Sequence, residues 1–359
     1  MSRHRSFKFT RYVMAMVLAL GLVAPDLGPG ISAAQAAETG KPAKQIFGAA
    51  KLPAVLPSRA IGFYSKGCLA GGVAIPTDGE TWQAMRLSRN RRWGHPDLIA
   101  LVERLSREAA AQDGWPGLLV GDIAQPRGGP MLSGHASHQV GLDADIWLTP
   151  MPKRRFSPQE REEVSATSML KKNTLYVDPD RWTTAHARLL MRAASYPEVE
   201  RIFVHPGIKK KLCDSWQGDR ASMGKIRPYY GHHYHFHIRI KCPPGATGCK
   251  SQTPPPAGSG CGAPLAWWFS DEPWAPAKPK KDTKPKPKKR EIKLADLPAA
   301  CAVVASAPAP ASEAEVTLGA DPIGRIAASA AARPISDIPM SGFAPLPRVV
   351  PLPVWRPRD

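Results

Sequence analysis

The sequence predicts an α+β fold, a small antiparallel sheet flanked by helices and stapled by disulfides. Three observations carry that expectation. Residues 234–241, Tyr-His-Phe-His-Ile-Arg-Ile-Lys, alternate without a fault between apolar and polar. That is the period of a half-buried antiparallel strand. Helical and strand-like patterns mix along the chain instead of alternating strictly, which disfavours a doubly wound parallel sheet. The cysteines are Cys68, Cys213, Cys242, Cys249, Cys261 and Cys301, six in all. An even set of this kind pairs in an oxidising compartment.

Taken in chain order, residues 1–36 read as a secretory signal peptide. Arg3, Arg5, Lys8 and Arg11 precede the apolar run Tyr12–Val23, and Ala34-Gln35-Ala36 is a small-x-small cleavage site. The run is short for a membrane span and lacks an adjacent arginine pair, so the general export route is expected. No later stretch is long enough to span a bilayer, so no transmembrane segment is expected after cleavage. Residues 37–56 form a weakly patterned lead-in. Residues 57–270 are the folded body, long enough for one domain with a core. Within it Pro96 opens a helix with apolar Leu98, Leu101, Val102 and Leu105, and Gly114 stops it. Residues 117–123 form a short apolar run that suits a buried strand. The pattern over 183–195 is helical, and Arg201–Val204 follows as a strand. Residues 271–293 are a Lys/Pro-rich linker that cannot bury a core. Residues 294–304, with Cys301, are expected to dock back on the body through a disulfide. Residues 305–359, rich in Pro and Ala, are expected to be disordered.

The formal charge is +19, of which residues 1–36 contribute +3 and residues 278–293 contribute +7, leaving +9 for the rest. A basic exported chain suits an anionic envelope polymer or membrane surface, with the basic linker as the contact. Export argues against nucleic acid as the partner.

Six of the ten histidines sit in two clusters. The first is His135-Ala136-Ser137-His138, followed by Gly141-Leu142-Asp143-Ala144-Asp145. The second is His232-His233-Tyr234-His235-Phe236-His237. On the strand 234–241, Tyr234, Phe236, Ile238 and Ile240 share one face. His233, His235, His237, Arg239 and Lys241 share the other. His235 and His237 therefore project into one cleft, and His232 lies off this phase beside Gly231. In the first cluster Leu142, Ala144 and Ile146 alternate with Asp143 and Asp145, so Asp145 points away from the core. Gly134 and Gly141 break the backbone around His135 and His138, which places them in a loop entering that strand. Imidazoles and a carboxylate from a loop and two strands make an open three-ligand site of the kind that catalytic zinc uses. Asp143 reads equally as a second carboxylate orienting a ligand histidine and as a solvated strand residue. The cysteines offer no C-x-x-C pair for a metal. Their connectivity is open, apart from a plausible local bridge between Cys242 and Cys249, which bracket Pro-Pro-Gly-Ala-Thr-Gly.

The run from Ser133 to Ile146 resembles the first metal motif of the penicillin-insensitive murein endopeptidases, within the wider lysostaphin-type and D-Ala-D-Ala metallopeptidases. His232-x-x-His235-x-His237 is similar to their second motif. Ala60-Ile61-Gly62, Gly94-His95-Pro96-Asp97-Leu98, Arg201-Ile202-Phe203-Val204, Lys225-Ile226-Arg227-Pro228 and Leu297-Pro298-Ala299-Ala300-Cys301 resemble the family as well. The resemblance covers residues 57–270 and the Cys301 segment. It implies a zinc metallopeptidase domain with the ion on His138, Asp145 and His237, and a catalytic base at His235. His232 and His135 are implied as further active-site histidines, His135 also as a further candidate ligand. It implies the disulfides Cys68–Cys301, Cys213–Cys261 and Cys242–Cys249. Some members hold a second ion on an Asp and a His that have no counterpart near Lys171–Tyr176, so one Zn2+ is expected. The implied location is the periplasm. The implied reaction is hydrolysis of D-alanyl–meso-diaminopimelate cross-links in peptidoglycan. A water nucleophile, with no S-x-x-K serine, explains insensitivity to penicillin. The rival readings are a D,D-carboxypeptidase or dipeptidase of the same superfamily, which would trim chain ends, and a non-catalytic peptidoglycan-binding protein, which would release nothing.

Overall fold

The computed structural model of the chain describes residues 40–275 and 290–317. The expected signal peptide, most of the Lys/Pro-rich run and the tail beyond residue 317 lie outside the described residues. Among those described, no helix is long and apolar enough to cross a membrane.

The elements in chain order are α1 (Ala43–Ala49), β1 (Arg59–Phe63), β2 (Lys66–Ala70), β3 (Val73–Ala74), β4 (Asp78–Gly79), β5 (Trp82–Ala84) and β6 (Trp93–Gly94). Then come α2 (Pro96–Gln112), β7 (Leu118–Val120), β8 (Asp143–Trp147), α3 (Pro158–Glu163), α4 (Thr184–Ser195) and β9 (Val199–Val204). The chain continues with α5 (Pro206–Ser215), β10 (Ile226–Pro228), β11 (His235–Ile240), α6 (Ala263–Ala266) and α7 (Ala300–Ser306). The architecture is mixed α and β. Its main sheet runs β10-β9-β11-β8-β7-β5-β4, with β1–β2 and β3–β6 as separate pairs.

The centre of the main sheet, β9-β11-β8-β7, is antiparallel as the alternating strand pattern implies. Its flanks are not. β5 pairs with β7, and β10 with β9, in parallel. Parallel neighbours need a crossover. Here α2 supplies one between β5 and β7, and α5 the other between β9 and β10. The expectation of an antiparallel sheet is corrected to a mixed one. Strands β5 and β10 are each three residues long, too short for periodicity to reveal.

Helix α2 begins where the sequence puts it. Pro96 is its first residue, and the His95 side chain accepts from the Asp97 N–H. Its stripe Leu98, Leu101, Val102 and Leu105 is buried in the main core. Gly114, at φ +70°, lets the chain turn away past the helix end. Helix α4 packs against α2 and β9, burying Leu189, Leu190 and Ala193. Phe236 and Ile238 of β11 and Ala144 and Ile146 of β8 complete this core.

A second, smaller core lies beside the first. Ala43 and Phe47 of the lead-in, on α1, pack with Ile61, Cys68, Leu297, Cys301 and Val304. The first residues past Ala305 are also ordered. The Val55 N–H donates to the Pro308 carbonyl, Thr317 bridges to Ala74, and Glu313 pairs with Arg92. Three disulfides link Cys68 to Cys301, Cys213 to Cys261 and Cys242 to Cys249, the pairs that the resemblance implies.

Candidate active site

Strand register builds the site. In the β8–β11 ladder, Phe236 faces Ile146 and Ile238 faces Ala144, on the core side. On the opposite side His235 lies against Trp147, His237 against Asp145 and Arg239 against Asp143. Directly opposed residues on one face approach closely, so two apolar pairs on one side bring the polar pairs together on the other. Every residue of β11 is buried, so the half-buried strand that alternation suggests is corrected. Its polar face is covered by other site side chains and by Tyr64, not by water. Arg239 stacks 4.0 Å from the Tyr64 ring centroid.

His138 arrives from the loop before β8. Its backbone is left-handed, φ +66°, a conformation that costs energy in a non-glycine residue and persists only when its surroundings enforce it. Here the His138 N–H donates to Asp143 Oδ2 at 3.0 Å. Gly141, at φ +70°, then brings the chain under Leu69, where a Cβ would meet Leu69 Cδ2 at 2.7 Å.

Asp145 is the hub. Its Oδ1 lies 3.4 Å from His138 Nε2, 3.4 Å from His237 Nδ1 and 3.7 Å from His235 Nε2. Its Oδ2 lies 3.5 Å from His135 Nε2. His138 Nδ1 lies 2.6 Å from the Ile123 carbonyl, to which it donates, so Nε2 carries a lone pair toward Asp145. His237 Nε2 lies 3.0 Å from Asp143 Oδ1, which leaves Nδ1 facing Asp145. Asp143 is fully buried, ion-paired to Arg239 at 2.7 Å. The structure thus gives it the orienting place and removes the solvated alternative.

The electrostatics divide the imidazoles: burial lowers His232, His235 and His237, whereas at His138 burial is outweighed by the Asp145 carboxylate and the pKa is raised. Burial pushes His235 down to about 4, against the pull of Asp145. Burial pushes His237 down to about 3, against Asp143, and lowers His232 as well. Burial opposes ionisation of Asp145, but His235 and His138, once protonated, outweigh it and hold the carboxyl well below its usual range.

Among the described residues, His135, His138 and Asp145 form a group that could hold a metal ion, their ligand atoms lying within 4.8 Å of one another. The set implied by resemblance, His138, Asp145 and His237, shares two of these, and His237 joins through Asp145. Several buried atoms here lack a hydrogen-bond partner: His138 Nε2, Asp145 Oδ1, His235 Nδ1 and His237 Nε2. Orphaned polar atoms at full burial are costly, and two of these, His138 Nε2 and Asp145 Oδ1, face each other at 3.4 Å, as two ligands of one cation would. His232, at φ +54°, stands at the mouth, its ring 4.9 Å from that of His235. His233 turns aside to Ser168 Oγ at 2.9 Å and stays out of the cluster.

One residue escaped the sequence reading. Asp122 sits just past β7 and is almost fully buried. It bonds His135 Nε2 at 3.1 Å and pairs with Arg89 and Arg91. Burial raises its pKa, but the His135 bond and the two arginines prevail and hold it at about 2. The signal was the lone acid in the apolar run 117–123.

Comparison with known proteins adds a lineage to this geometry. The family model described as penicillin-insensitive murein endopeptidase matches residues 60–306. A penicillin-insensitive murein endopeptidase of Haemophilus influenzae is 47% identical over 209 residues, 58% of this chain and 72% of that protein. Proteins of the same name from Salmonella paratyphi B and Salmonella heidelberg are each 40% identical over 228 residues, 64% of this chain and 82% of theirs.

Proposed function

Because the chain belongs to the penicillin-insensitive murein endopeptidase family, it is a peptidase of murein, and we propose that it works with one zinc ion on D-alanyl–meso-diaminopimelate cross-links in the periplasm. The observation that carries the metal is the convergence of His138 Nε2 and His237 Nδ1 on Asp145 Oδ1, each at 3.4 Å. An imidazole-rich, carboxylate-bearing and thiol-free donor set suits zinc. All six cysteines are in disulfides. His138, Asp145 and His237 would hold the ion, with His135 beside them. The stretch 171–176, Lys-Lys-Asn-Thr-Leu-Tyr, offers no ligand for a second.

Bound there, zinc would polarise the scissile carbonyl and lower the pKa of water towards about 7. The rest belongs to the chain. His235, neutral at pH 7 because burial holds it at about 4, takes a proton from the attacking water and returns one to the leaving amine. His232 and His135 border the cleft; with Nδ1 of His232 donating to the Tyr230 carbonyl, its neutral Nε2 accepts a hydrogen bond from the attacking water or the leaving amine. Asp143, clamped by Arg239, keeps His237 facing Asp145. Asp122, clamped by Arg89 and Arg91, fixes His135 through Nε2, the nitrogen that also lies near Asp145.

The test is metal analysis of the mature protein together with digestion of purified cross-linked muropeptide dimers, beside His138→Ala. We expect about one zinc per chain and release of monomers, both lost in the variant. Retained metal and cleavage in His138→Ala would sink the ligand assignment. Release of terminal D-alanine alone would favour a carboxypeptidase.

A further inference from the structure

One feature of the surface has no place in the chemistry above. An unbroken chain of aromatic rings leads out of the catalytic cleft. Tyr229 lies 5.6 Å from the His232 ring and 6.3 Å from Tyr230. Tyr230 in turn lies 5.0 Å from Trp268 and 5.3 Å from Trp274. Aromatic rings ordinarily go inside, yet Tyr229 is 53% exposed, Tyr230 45% and Trp274 38%. Contiguous exposed apolar surface beside an active site marks a binding surface.

Two details say what kind. First, the polar edges of two of these rings, Tyr230 and Trp274, are already engaged by the protein. Tyr230 Oη donates to the Pro273 carbonyl and Trp274 Nε1 to the Trp268 carbonyl. Tyr230 and Trp274 therefore offer their ring faces and little hydrogen-bonding capacity. Second, the bonds tie the segment 267–274 to the turn that carries His232. That turn is itself held by left-handed Gly231 and His232 and by His232 Nδ1 bonding the Tyr230 carbonyl. The ring faces are pre-set relative to the cleft, which lowers the cost of ordering them on binding. A pyranose ring presents a flat face of C–H groups that stacks on an aromatic ring without needing its polar edge. A peptide stem, whose amides need partners, gains less from such a surface.

We propose that Tyr229, Tyr230, Trp268 and Trp274 form a subsite for the sugar strand of murein, holding the aminosugar that bears the stem peptide while its cross-link lies in the cleft. This rests on the murein endopeptidase reading, and the test separates the two.

The full mature chain is assayed on a cross-linked muropeptide dimer carrying its disaccharides and on the same dimer stripped of sugar. The wild type should favour the sugar-bearing dimer. Trp274→Ala and Tyr230→Ala should each raise KM on that dimer by about 2- to 10-fold, the range for loss of one stacked ring. The kcat should hold, and the sugar-free dimer should be unaffected. Trp274→Phe and Tyr230→Phe, which keep a ring face, should restore most of the loss. Equal losses on both dimers, or no preference for sugar in the wild type, would overturn the subsite. Cleavage of neither dimer by the wild type would overturn the endopeptidase reading instead. Calorimetric binding of the uncleaved sugar-bearing dimer, with the same variants, would then decide the ledge.

Discussion

Asp143 shows how a single side chain can do two jobs here. It is fully buried between Arg239, at 2.7 Å, and His237, at 3.0 Å, and it accepts the His138 N–H. Burial alone would keep it protonated. The Arg239 charge, then His237, outweighs that and holds the carboxyl far below its usual range. Asp143→Asn keeps the shape but removes the anion. Zinc affinity, measured by chelator competition on folded protein, should fall about 10- to 100-fold, as it does when outer partners of ligand histidines are lost. Unchanged affinity would leave Asp143 as a plain counter-ion to Arg239. At this scale the histidines and Asp145 were legible from sequence, because side-chain direction follows strand period. Asp122 was not, because its meaning depends on Arg89, Arg91 and His135, which the fold brings to it.

At the scale of the element, β11 carries the site by having two unlike faces. Phe236 and Ile238 lock the strand into the core, and their burial sets the height of His235 and His237 above it. Phe236→Ala should destabilise the protein by about 3–5 kcal/mol, the cost of emptying a fully buried aromatic position. A denaturant midpoint reads this directly. A loss under about 1 kcal/mol would mean that the strand is held from its polar face instead. The long elements α2, α4 and β11 were legible because each repeats its pattern several times. α1, β5 and β10 are short and had too few residues to show a period. The half-buried reading of β11 failed because burial of a polar face is decided by what packs over it.

For the molecule as a whole, the ends of the described chain meet. α1 precedes the sheet in sequence and α7 follows it, yet both pack on the β1–β2 pair, closed by Cys68–Cys301 across 233 residues of separation. Cys68→Ala with Cys301→Ala should cost about 2–5 kcal/mol, read from thermal or denaturant unfolding. Zinc content should stay unchanged, since neither cysteine touches the site. A drop in zinc content would show that the clasp also shapes the metal loop. Sequence by itself determined the residues that could hold a metal, the faces on which they sit and, through resemblance, the family. Each of these is written locally, in spacings of two residues or in contiguous motifs. Only the tertiary structure decided which histidines meet at Asp145, that Asp143 and Asp122 steer two of them, that the sheet is mixed, and that a ledge of rings adjoins the cleft. Those facts depend on contacts between residues far apart in the chain, and no local pattern encodes which distant partner a buried charge or an exposed ring will find.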